Sequence, residues 1–61
     1  MASTVVRMRA VSSYAQKLIR ACKENAVLDT PWYRVERKDG HTRIARKDSR
    51  GGHPMDWLEV S

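Results

Sequence analysis

The sequence predicts an α+β domain, with one helix packed on a small antiparallel sheet in the order β-α-β-β-β. Three stretches carry that expectation. Residues 32–47 read WYRVERKDGHTRIARK, two alternating runs on either side of Asp39-Gly40, the strongest short hairpin signal. Residues 13–26 place apolar side chains every three or four positions, as a helix does. Residues 55–60, MDWLEV, alternate again and supply a further short strand.

At the N-terminus, residues 1–3 are small and polar and are expected to fray. Thr4 to Val11 reads TVVRMRAV, with Val6, Met8 and Ala10 on one side and Arg7 and Arg9 on the other. That alternation favours a first strand. A rival pattern runs through Val5, Met8, Val11, Ala15, Leu18, Cys22 and Ala26 as one long helix, so the first strand stays open. Ser12 and Ser13 look like a fresh helix start, because a serine hydroxyl accepts a backbone N–H of the first turn. Ala15, Leu18, Ile19, Cys22 and Ala26 form the apolar stripe, and Gln16, Lys17, Arg20, Lys23 and Glu24 the outside. The helix is expected to stop by Val27, and Leu28 to Pro31 to form a loop, since Pro31 blocks continuation.

In the hairpin, a two-residue turn at Asp39-Gly40 sets the register. Lys38 opposes His41, Arg37 Thr42, Glu36 Arg43, Val35 Ile44, Arg34 Ala45 and Tyr33 Arg46. Opposed residues share a face. Tyr33, Val35, Thr42 and Ile44 therefore face the helix. Arg34, Lys38, His41, Arg43 and Lys47 line the other face, with Glu36 beside Arg43 and Trp32 at one end. Asp48 to Pro54 is a turn-rich loop. In the last strand Leu58 and Val60 share one face, and Trp57 and Glu59 the other.

Size and composition narrow the function. The chain has 61 residues and reads as one small domain, 1–61. A domain of this length buries only about 60% of its unfolded surface, which leaves it marginal alone. One cysteine allows no internal disulfide, and Cys22, His41 and His53 lack the close-paired spacing of a zinc site. No cofactor pattern is present. A homodimer or a bound protein partner is as compatible with this size as a lone monomer. No apolar run reaches the roughly 18 residues of a membrane span, and no signal-peptide core is evident, so a cytoplasmic protein without membrane contact is expected.

Twelve Lys and Arg against seven Asp and Glu give a net charge of +5 and a pI of about 10.0. That excess favours a polyanionic partner, RNA or DNA. The alternating cations Arg34, Lys38, Arg43 and Lys47 can track a phosphate backbone, and Arg46 and Arg50 extend the charge into the next loop. Trp32 can stack on a base. Lys17, Arg20 and Lys23 on the outer helix face make a second basic strip. The alternative is a small regulator or inhibitor docking on an acidic protein surface, with Trp32 and Trp57 as anchors.

His41 is the candidate catalytic residue. Amid cations, its imidazole can move a proton at a ribose 2′-hydroxyl while Lys38 and Arg43 hold the phosphate. His53, in a Gly-rich loop before Pro54, reads as a turn residue, and Cys22 as a core residue.

The helix KLIRACKENA, the strand WYRVER, the turn Lys-Asp-Gly-His, the strand HTRIARKD and the late strand WLEV together resemble the HicA-type mRNA interferase toxins. The resemblance spans residues 17–60 and implies a fold like a double-stranded-RNA-binding domain. It also implies metal-independent endoribonuclease activity in a toxin–antitoxin setting, with His41 catalytic and Gly40 as the turn glycine. RNA is thereby favoured over DNA.

Overall fold

The computed structural model describes residues 4–61. The expected fraying of residues 1–3 lies outside the described residues. Five strands and one α-helix form two layers: β1 (Thr4–Val6), a 3-10 turn (Met8–Ala10), α1 (Ser13–Ala21), β2 (Ala26–Asp29), β3 (Tyr33–Lys38), β4 (His41–Lys47) and β5 (Pro54–Val60). The strands lie side by side in the order β1-β5-β4-β3-β2.

The β3–β4 hairpin has the predicted register in full, from Lys38 opposite His41 to Tyr33 opposite Arg46. Asp39 and Gly40 both hold positive φ, 50° and 77°, as a type I′ turn requires. The expected face division also holds for β5: Leu58 pairs with Ile44 and Val60 with Thr42 on the helix side, while Glu59 pairs with Arg43 on the other.

Four expectations are corrected. The sheet is mixed rather than antiparallel, because β1 runs parallel to β5 at one edge. Only Thr4–Val6 of the predicted first strand pairs in the sheet. The chain must leave the sheet edge to reach the helix layer, and the Met8–Ala10 turn makes that climb. The helix ends at Ala21, earlier than its apolar spacing suggests. Residues 26–29, expected as helix end and loop, instead form β2, an edge strand in which Leu28 pairs with Val35 and Asp29 with Arg34. Four residue pairs with β3 outweigh one more helical turn, and Asn25 makes the reversal at φ 57°.

The helix joins strands at opposite edges of the sheet, so it crosses the sheet face and packs over the central strand β4. Ser12 caps it, its Oγ accepting the Ala15 amide at 3.2 Å. At the other end Arg37 donates from Nη1 to the Cys22 carbonyl at 3.0 Å. Val11, Ala15, Ile19 and Cys22 meet Val35 and Ile44 in the buried core, with Leu18, Leu28, Tyr33 and Leu58 at its margin. Cys22 is buried there and its Sγ donates weakly to backbone carbonyls of Ala26 and Val35. Among the described residues no helix is long and apolar enough to cross a membrane.

Candidate nucleic-acid interface

The opposite sheet face carries no second layer. What covers it is a chain of ion pairs. Arg43 donates from Nε to Glu36 at 2.8 Å, and Arg34 donates from Nε to the other Glu36 oxygen at 2.9 Å. Arg34 also approaches Asp29 at 3.7 Å, and the Lys47 ammonium meets the same Asp29 oxygen at 2.8 Å. Arg43 further stacks its guanidinium 4.1 Å above the Trp57 ring. The Arg34 and Arg43 hydrogen bonds hold the Glu36 carboxyl below its ordinary range, against partial burial. Lys47 chiefly, with Arg34, does the same for Asp29.

The ladder changes the standing of the predicted hairpin cations. Lys47 was expected to be free for a polyanion, but its side chain is only 6% exposed and turned onto Asp29. Arg34 and Arg43 are each shared with carboxylates. Arg46 lies on the Tyr33 side and is clamped by Asp56, its Nε at 3.2 Å and its Nη2 at 3.0 Å. Lys38 and Arg50 are exposed and, among the described residues, make no ion pair.

His41 stands at the hairpin end, its side chain 78% exposed and its Nδ1 3.4 Å from a Glu59 oxygen. An open cleft of about 350 Å³ surrounds it, lined by Glu36, Lys38, His41, Thr42, Arg43 and Glu59. His53 does not join that cleft. Its amide donates to Asp48 at 3.0 Å and closes the loop, as its turn reading expects. Among the described residues no group of three His, Cys, Asp or Glu is placed to hold a metal ion.

The unneutralised charge lies in the N-terminal segment that carries α1. Before Glu24 the sequence holds Arg7, Arg9, Lys17, Arg20 and Lys23 and no acidic residue. From Glu24 onwards, seven Lys and Arg face seven Asp and Glu. The whole net charge of +5 therefore belongs to the first 23 residues. All five cations are exposed, and none is within ion-pair distance of a carboxylate among the described residues. Lys17 and Arg20 sit three apart on the outer face of α1, with Arg20 3.5 Å from the Gln16 side-chain oxygen.

Sequence reasoning passed over Tyr14, Arg7 and Arg9 as contributors. A running count of charge along the chain would have found the two arginines. Tyr14 had no such signal: it lies on the flank of α1 beside the sheet, 55% exposed. Its ring centroid is 5.6 Å from that of Tyr33, at 57°. Trp32, expected at one end of the hairpin as a stacking residue, stands at that end: its carbonyl accepts the Lys47 amide at 2.8 Å, the Thr30 amide donates to the Tyr33 carbonyl at 2.9 Å in the same tight β2–β3 turn, and Trp32 is 53% exposed.

Compared with known proteins, the chain matches no family model, no curated protein and no solved structure.

Proposed function

We propose that this chain is a small nucleic-acid-binding protein whose phosphate-contacting surface is the helix side rather than the hairpin face. The observation that carries this is the segregation of charge: five exposed cations and no carboxylate in residues 1–23, beside an electroneutral remainder. Free cations bind phosphates and release counterions, whereas cations already satisfied by carboxylates must first give those up. Lys38 and Arg50 are further candidates for the same partner. A cytoplasmic setting belongs to this reading. The test is titration of fluorescein-labelled RNA and DNA by anisotropy at low salt. Absence of binding to every nucleic acid at low salt sinks the proposal.

One observation favours a second reading, that of a HicA-like, metal-independent endoribonuclease. Glu59 sits where it can accept the His41 Nδ1–H, which leaves Nε2 facing solvent as a base beside Lys38 and Arg43. Incubating labelled RNA with the wild type and His41→Ala in EDTA decides it. Cleavage by the wild type and none by the folded variant supports the reading; equal behaviour of the two ends it. Docking on an acidic protein would use the same helix cations. Nothing in the geometry ranks it above nucleic acid, because the exposed aromatics described above suit bases at least as well.

A further inference from the structure

At the N-terminal end of α1, Tyr14, Trp32, Tyr33, Arg46 and Lys47 line an open cleft of about 440 Å³. Two of its three rings are more than half exposed, which is unusual in a chain with only four aromatic residues. Exposed aromatic surface costs solvation without adding to the core, so its placement calls for a use. Arg46 is kept at the cleft by its two contacts to Asp56 and remains 68% exposed. Tyr14, Lys17 and Arg20 lie at i, i+3 and i+6, so they run along one helix face. The aromatic cleft is thus the end of the cationic strip.

We infer that this cleft is a stacking slot for an unpaired nucleobase, which makes the protein a single-strand binder. The inference rests on the nucleic-acid reading above and adds to it the form of the nucleic acid. Tyr14 and Trp32 offer ring faces, and Arg46 adds a planar guanidinium edge. A flat neutral base has π-faces for both, while the phosphates flanking it meet Lys17 and Arg20. A base held inside a duplex is stacked on both sides and cannot enter such a slot. Stacking is tolerant of base identity, so RNA and DNA single strands share the chemistry, and a 2′-hydroxyl contact alone would separate them.

The experiment uses the full chain carrying Trp57→Phe, which leaves Trp32 as the only tryptophan. Its fluorescence is followed while a 12-nucleotide single-stranded RNA, the matching DNA strand and the corresponding duplex are each added at low salt. Quenching of Trp32 by the single strands, with clearly weaker binding of the duplex, is the expected result. Trp32→Ala should weaken single-strand binding roughly tenfold or more, while Trp32→Phe, which keeps a ring, should recover most of it. Trp32 is at a surface turn, so circular dichroism should show both variants folded. Equal affinity for single strand and duplex, or a Trp32→Ala variant that binds as the wild type does, overturns the slot but leaves nucleic-acid binding standing. Failure to bind any of the three overturns both. A preference for RNA over DNA strands, with quenching by both, supports the slot and assigns the difference to the sugar.

Discussion

If the helix side meets the phosphates, neutralising it should change the salt dependence of binding and not merely its strength. The perturbation is Lys17→Gln, Arg20→Gln and Lys23→Gln together, which removes three of the five unneutralised cations of residues 1–23. Glutamine keeps the length and helix propensity, so α1 should persist. Each phosphate contact on a single strand contributes about 0.7 to the slope of log K against log salt, so the triple variant should lose about 2 units of slope. Between about 50 and 200 mM salt that removes roughly 20-fold of the affinity change. The control is Arg34→Gln, Arg43→Gln and Lys47→Gln, which removes as many charges from the hairpin. Each of these is already held by Glu36 or Asp29, so this variant should change the slope by less than about 1 unit and lose stability instead. Anisotropy titrations at four salt concentrations measure both slopes. A larger loss of slope in the hairpin variant than in the helix variant would refute the argument and place the phosphate path on the sheet.

Three further outcomes test the fold. Ile44 is 3% exposed at the centre of the core, and Ile44→Ala should cost about 2–5 kcal/mol. A chain this short has a total stability of roughly 3–9 kcal/mol, so urea denaturation should find the variant close to unfolding. The lowered carboxyls of Glu36 and Asp29 fix the sign of an acid effect. Both are charged in the fold, so their stabilisation is complete above their ordinary values of 4.5 and 3.8 and is lost as pH falls through the lower folded values. The urea midpoint should hold steady near neutral pH and drop in that acid range, and Glu36→Gln should be less stable at pH 7 yet flatter towards acid; a wild-type midpoint flat to about pH 2 would contradict the ion-pair ladder. Gly40 sits at φ 77° with nothing within 4 Å of an added Cβ, so Gly40→Ala should cost about 1–2 kcal/mol from backbone strain alone, and a neutral result would argue against the two-residue turn.

The hairpin was legible because two coded signals agree: Asp39-Gly40 supplies the positive φ values, and the period of two assigns every flanking side chain a face. The helix start was legible through Ser12 for the same reason, a side-chain oxygen placed to take a first-turn amide. The helix end was not. Ala26 continues the apolar stripe in sequence, yet it also begins the alternation Ala26-Val27-Leu28-Asp29, and only the neighbouring β3 decides between the two. Local pattern cannot weigh a long-range partner. The parallel pairing of Thr4–Val6 with residues 58–60 was hidden likewise, since it joins the two ends of the chain. The candidate site was half legible. The face on which Arg34, Lys38, His41 and Arg43 lie was correct, but exposure on a face was taken as availability.

Availability depends on what stands two residues away and one strand across. On one sheet face, residues i and i+2 are neighbours, and so are opposed residues of adjacent strands. Arg34 and Glu36 are related in the first way, Glu36 and Arg43 in the second, and Arg34 and Asp29 in the second again. Opposite charges at those positions find one another before any partner arrives. A basic strand thus becomes a free basic surface only if no carboxylate shares its face within that spacing. The three acidic residues Asp29, Glu36 and Glu59 all fall on the face the cations use. The helix has no carboxylate at all between Ser13 and Ala21, so its cations have no carboxylate on the helix to pair with. The same physics that gives the sheet a polar cover without a second layer therefore leaves the cations of the helix unneutralised.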